Sequence, residues 1–225
     1  MFQLRVRVKI CCMQSPLEAA IAVAAGADAV GLVSRMPSGP GPISESAIAE
    51  IASTVPPGVA TFLLTCEQTA GAIIAQQRRC GANTIQIVDE AEPGVHAELR
   101  AGLPGISIVQ VIHVRDESAI TAAVGVAPEV DAILLDSGNP SLAIKELGGT
   151  GRAHDWAISR AIREAVKAPV YLAGGLNAGN VASAIAAVSP FGVDVCSGVR
   201  TDGALDEAKL RAFIKAARST DVALP

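Results

Sequence analysis

The chain predicts a closed (β/α)8 barrel, and three observations predict it. A short β-branched run, a Gly/Pro/Ser break and an Ala-rich segment of helical period recur along its length. The pattern repeats eight times in 225 residues, about 28 residues a unit and close to the ~30 that a strand–helix–strand step needs. No GxGxxG follows the first strand, which disfavours the other eight-unit candidate, an open doubly wound sheet. No linker or shift in composition divides the chain, so 1–218 reads as one barrel domain and 219–225 as a frayed tail.

The elements follow in order. Strands are expected at Leu4–Cys11, Ala29–Val33, Gly58–Leu64, Thr84–Val88, Ile106–Ile112, Ala132–Asp136, Val170–Ala173 and Val193–Cys196. Helices are expected to begin near Pro16, Ser44, Glu67, Pro93, Asp116, Asp155, Asn177 and Asp206. Ser15-Pro16 sets a capping hydroxyl before a proline at the first helical position, where a missing N–H costs nothing. Ser44-Glu45 brings an acceptor and a negative charge to the positive end of the second helix. Four strand entries look alike, around Asp28, Asn83, Asp131 and Asp194, each a turn former leading into an apolar run.

Composition excludes several functions. Half of the residues are hydrophobic, too many for a disordered chain. The net charge of −4 and 3% aromatic content leave neither a basic face nor stacking platforms for nucleic acid. No apolar run approaches the ~18–20 residues that span a bilayer, and the charged start is no signal peptide. Five scattered cysteines suggest neither a disulfide framework nor a zinc site. A soluble, cytoplasmic, acidic globular protein is expected.

In a barrel the chemistry sits where strands end, and alternate side chains face the lumen. On the first strand Leu4, Val6, Val8 and Ile10 share one face while Arg5, Arg7, Lys9 and Cys11 share the other. With the apolar face on the helices, Lys9 and Cys11 point into the mouth. By the same parity Asp136 ends the sixth strand on the face of Ala132 and Leu134, so a thiol and a carboxyl can converge on one ligand. Gly174-Gly175 after the seventh strand and Ser197-Gly198 after the eighth lie where barrels commonly hold phosphate. Gly148-Gly149-Thr150-Gly151 reads either as a mobile lid or as a merely flexible loop, and the length of the segment Ser137–His154 favours a functional role. His96 and His154 read as solvated, His113 as structural, Arg78-Arg79 as a helix end, and Cys66, Cys80 and Cys196 as packing residues.

These residues resemble a family. Lys9-Ile10-Cys11, Gly26-Ala27-Asp28-Ala29-Val30-Gly31, Leu134-Leu135-Asp136, Gly148-Gly149-Thr150-Gly151 with Asp155-Trp156, Leu172-Ala173-Gly174-Gly175-Leu176 and Asp194-Val195-Cys196-Ser197-Gly198-Val199 resemble, in order, phosphoribosylanthranilate isomerase of tryptophan biosynthesis. The resemblance implies an Amadori rearrangement without a cofactor. Asp136 would be the general acid and Cys11, as thiolate, the base, with Lys9, Gly149, Gly174, Gly175, Ser197 and Gly198 on the phosphorylated sugar. The family's Gly after the catalytic Cys is Cys12 here, its carboxylate-binding Arg falls on Gly41, its fourth-strand His on Val88 and its final Glu on Arg200. Arg35 or Arg200 would then take the substrate carboxylate. The altered loop leaves two alternatives, an isomerase of another phosphorylated sugar amine and a phosphate-binding barrel without turnover. The expected partner is a small phosphorylated substrate, with no nucleic acid and no membrane, and a homodimer is left open.

Overall fold

A computed structural model describes residues 5–148, 151 and 154–219. Eight strands alternate with eight helices: β1 Arg7–Ile10, α1 Pro16–Ala25, β2 Ala29–Val33, α2 Glu45–Thr54, β3 Ala60–Thr65, α3 Ala70–Cys80, β4 Thr84–Ile87 and α4 Val95–Gly102. They continue as β5 Ser107–His113, α5 Ser118–Val126, β6 Ala132–Asp136, α6 Trp156–Ala165, β7 Val170–Leu172, α7 Val181–Val188, β8 Gly192–Val195 and α8 Glu207–Arg218. All eight strands pair in parallel with their sequence neighbours. The ring closes where β8 returns to β1, with Lys9 opposite Asp194 and Ile10 opposite Val195.

Strand parity builds two apolar layers. Val8, Ile10, Val30, Leu32, Ile85, Ile87, Ile133, Leu135 and Val193 face the helices. Ala29, Val33, Phe62, Leu64, Val109, Val111, Ala132, Leu134 and Tyr171 fill the lumen. The lumen also takes polar residues at alternate positions, among them Lys9, Gln86 and Asp194. Burying polar side chains costs free energy that a partner offsets, and Lys9 and Asp194 pair with each other.

The helix signals act as expected, with shifts of a few residues. The Ser15 hydroxyl accepts from the Glu18 N–H, and Glu18 reaches back to accept from the Gln14 N–H. Ser44, Asp155 and Asp206 cap α2, α6 and α8. The third helix begins at Ala70 rather than near Glu67, because the Thr69 hydroxyl supplies its cap. The seventh begins at Val181 rather than Asn177, since a turn closes first, the Asn180 side chain accepting from the Asn177 N–H and the Asn177 side chain from the Gly179 N–H.

Three of the four similar strand entries share one device. Asp28 accepts from the Val8 N–H, Asn83 from the Thr61 N–H and Asp131 from the Ile108 N–H. Each side chain therefore ties the start of one strand to the strand before it. Asp194 differs, lying inside the barrel against Lys9. Among the described residues no helix is long and apolar enough to cross a membrane.

Candidate active site

An open cavity of about 700 Å³, counting the space continuous with solvent, occupies the end of the barrel where the strands terminate. Cys11, one residue beyond β1, and Asp136, the last residue of β6, both line it. Their strands stand three apart round the ring, through β7 and β8.

Glycines let the backbone crowd both groups. A Cβ at Gly31 on β2 would sit 2.7 Å from the Cys11 Sγ, and one at Gly148 would sit 2.5 Å from the Asp136 Oδ2. Neither approach is possible for another residue without displacement.

The surroundings drive the two groups in opposite directions. A hydrogen bond from the Cys12 thiol, opposed by burial and helped by the Lys9 ammonium, holds the Cys11 thiol below its ordinary value. Burial pushes the Asp136 carboxyl up, against the Ser137 N–H, which donates to its Oδ1 at 2.7 Å, and the charges of His113 and Lys9. One buried group is thus biased toward its anion and the other toward its neutral acid.

Lys9 does not line the cavity. It lies wholly buried beneath it, its Nζ 2.9 Å from the Asp194 Oδ2 and 5.2 Å from the centre of the Phe62 ring. Asp194 itself reaches the cavity wall.

The loops after β7 and β8 supply the wall between Asp136 and Cys11. Gly174 and Gly175 adopt left-handed φ of 82° and 62°, and both line the cavity with Ser197. The Asn180 Nδ2 donates to the Gly175 carbonyl at 3.0 Å and holds that loop. Gly198 is not a lining residue. A side chain there would overlap the Leu176 carbonyl, so its absence brings the two loops together.

Gly149 lies outside the described residues, as do Thr150, Arg152 and Ala153 of the candidate lid. Gly148 and Gly151, which flank them, line the cavity.

Arg35 is exposed and absent from the lining, although its neighbour Met36 is part of it. Arg200 is engaged elsewhere. Its guanidinium donates to both Glu18 oxygens, the Gly203 carbonyl and the Cys12 carbonyl, so it faces away from any ligand.

Three other expectations change. His96 is buried between Glu129 and Gln110, each 3.0 Å from a ring nitrogen. His154 is largely buried against the Ser159 hydroxyl. Cys196 is a cavity residue, not packing alone. Sequence reasoning also passed over Gln86, a buried lining residue whose Oε1 has no partner. Its signal was the polar alternation Thr84, Gln86 within an otherwise apolar strand.

Known proteins match this chain over most of its length. The family model described as N-(5'-phosphoribosyl)anthranilate (PRA) isomerase matches residues 8–216. The N-(5'-phosphoribosyl)anthranilate isomerase of Methanocella arvoryzae is 35% identical over 215 residues, covering 95% of this chain and 99% of that protein. That of Haloferax volcanii is 38% identical over 215 residues, covering 95% and 93%. Among solved structures, phosphoribosyl anthranilate isomerase from Thermotoga maritima superposes with a TM-score of 0.82 at 31% identity, covering 95% of this chain and 99% of that one. A second, holding reduced 1-(o-carboxyphenylamino)-1-deoxyribulose 5-phosphate, superposes at 0.79 and 29% identity, with the same coverage.

Proposed function

This chain belongs to the N-(5'-phosphoribosyl)anthranilate isomerase family, and from that premise we propose that Cys11 and Asp136 are its base and its acid. The enzyme catalyses an Amadori rearrangement in tryptophan biosynthesis, converting a phosphorylated aldose amine to a 1-amino-ketose.

Asp136, kept protonated by burial, gives its proton to the ribose ring oxygen. The bond from that oxygen to C1′ breaks as the nitrogen lone pair moves in, leaving an open-chain Schiff base. Cys11, kept as thiolate by its neighbours, removes the C2′ proton. The C2′–H electrons form the C1′=C2′ bond of an enolamine as the C=N pair returns to nitrogen, and the enolamine becomes the ketone by gaining a proton at C1′ and giving up the proton of its C2′ hydroxyl. The observation that carries this assignment is the convergence of both groups, oppositely biased, on one cavity.

Gly174, Gly175 and Ser197 take the phosphate, where left-handed glycines admit an anion close to the backbone. Gly198 serves by positioning Ser197, and Lys9 acts through charge on Cys11 from below the floor. Arg35 takes the substrate carboxylate by turning its exposed side chain inward past Met36, since Arg200 is committed to Glu18. We read the enzyme as cytoplasmic, in keeping with its composition, and as a homodimer, a state named for its Thermotoga maritima relative.

The experiment is complementation of a tryptophan auxotroph lacking this isomerase, with the Cys11→Ser and Asp136→Asn variants alongside. The wild type restores growth and neither variant does. Growth on either variant would remove that residue from the mechanism.

A further inference from the structure

The segment 137–148, which leaves β6, folds back on itself through bonds that the mechanism does not use. Asn139 and Glu146 form an antiparallel bridge, the Glu146 N–H donating to the Asn139 carbonyl at 3.1 Å. A side chain at Gly138 would overlap the Glu146 carbonyl, so glycine there lets the two limbs close. The Arg115 guanidinium holds the outgoing limb, donating to the Asn139 Oδ1 at 3.1 Å and the Ser141 Oγ at 2.7 Å. The returning limb carries Leu147, which is buried, and Gly148 into the cavity wall.

Two other parts of the barrel grip that returning limb at Lys145. Its ammonium lies 2.5 Å from the Oδ2 of Asp89, two residues beyond β4. Its carbonyl accepts from the hydroxyl of Ser38, between β2 and α2, at 2.5 Å. Asp89 is itself held in place. Its Oδ1 accepts from the Glu90 N–H and its carbonyl from the Gln110 Nε2, each at 2.9 Å. The preceding carbonyl, of Val88, accepts from the His113 Nε2 at 2.9 Å. An ion pair exposed on both sides contributes little. Here the Asp89 side chain is only 7% exposed, so Lys145 compensates a charge largely withdrawn from water.

The grip at Lys145 acts three residues before Gly148, where a Cβ would sit 2.5 Å from the Asp136 Oδ2. The other oxygen of Asp136, Oδ1, accepts from the Ser137 N–H. The segment therefore bears on both oxygens of that carboxyl, at its first residue and at its last. It also covers the carboxyl, and burial is what pushes the group up.

We propose that Asp89 and Lys145 are positioning residues, a clamp that seats Leu147 and Gly148 over the Asp136 carboxyl for its proton transfer to the sugar. This rests on the acid role given to Asp136 above. With the clamp released, Gly148 leaves the carboxyl, water enters beside it, and the donor loses its alignment with the ring oxygen.

Hydrogen exchange reads the clamp without turnover, and so apart from the role of Asp136, which Asp136→Asn tests by itself. In Lys145→Met the Glu146 N–H should exchange about tenfold or more faster, the weight of one charge-assisted hydrogen bond. The amides of β6 and β7 should keep their wild-type rates. In the same variant kcat/KM should fall about tenfold or more, toward the ~10²-fold that a misplacement of about 1 Å can cost. Lys145→Arg keeps the charge and should stay within about threefold of the wild type in both readouts. Asp89→Asn keeps the shape of the side chain and an acceptor for the Glu90 N–H, and it should reproduce the losses of Lys145→Met. The double variant should lose no more than the worse single one. Unchanged exchange, faster exchange with unchanged kcat/KM, additive losses in the double variant, or Lys145→Arg no better than Lys145→Met each overturn the proposal.

Discussion

Cys11 and Asp136 share a cavity whose surroundings lower the thiol and raise the carboxyl, and that convergence of their acidities fixes the expected pH dependence. In the proposed mechanism the working state pairs a Cys11 thiolate with a protonated Asp136. Below the acidic member's pKa both groups are protonated, and above the basic member's both are ionised. The profile of kcat/KM is therefore a bell whose limbs belong to the coupled pair. Its acid limb should lie above the ordinary carboxylate range and its alkaline limb below the ordinary thiol value. Asp136→Asn should remove the alkaline limb from whatever activity remains, because only the need for a Cys11 thiolate is left, and an unchanged alkaline limb would assign it to another group. Arg35 is tested separately. If Arg35→Ala leaves KM for the anthranilate substrate unchanged, that guanidinium does not hold the carboxylate. Cys11 and Asp136 were legible because parity and the resemblance both pointed to them. Cys12 and Asp194 were not, since what each does depends on a partner more than 180 residues away in sequence, Arg200 or Lys9.

The loops and caps that surround the strands carry their own tests. Gly198→Ala must push the turn Ser197–Val199 off the Leu176 carbonyl. Substitutions of this steric kind cost on the order of 1–3 kcal/mol, and here the displaced residue is Ser197. KM should rise more than kcat falls, and an unchanged KM would separate Ser197 from phosphate binding. At the start of α6, burial pulls the His154 ring down to about 4, against the charge of Asp155. The folded state therefore holds His154 neutral, while the unfolded chain takes up the proton near pH 6.5. Stability should be complete above pH 6.5 and fall, by up to about 3 kcal/mol, as pH drops toward 4. Urea unfolding across that window checks it, and His154→Gln should flatten the slope. Strand positions were readable because each apolar run is bounded by a turn former. The later starts of α3 and α7 were not, because Thr69 and the Asn177–Asn180 turn compete with the expected caps through bonds between near neighbours.

Closure of the ring unites these pieces, and its seam holds a buried ion pair. Burial pulls the Lys9 ammonium down, but the Asp194 carboxylate outweighs it and leaves the lysine above its ordinary value. Its contribution is therefore intact below about pH 10.4 and lost only as pH rises further. Lys9→Met strands Asp194 unpaired inside the barrel and should cost about 3–5 kcal/mol in urea unfolding. Adding Asp194→Leu should recover most of that loss; if it does not, the pair is not what the seam depends on. The eightfold repeat made this architecture legible from the sequence, whereas the pairing of Lys9 with Asp194 becomes visible only once β8 meets β1. The account as a whole rests on a thiolate and a carboxylic acid acting on one sugar. Its most direct test is the steady-state kcat of Cys11→Ser and Asp136→Asn, together with their affinity for reduced 1-(o-carboxyphenylamino)-1-deoxyribulose 5-phosphate, the compound held by a related structure. Each variant should lose ~10²–10⁴-fold in kcat while binding that compound within about threefold of the wild type. A variant that turns over within a factor of about three of the wild type would contradict the account.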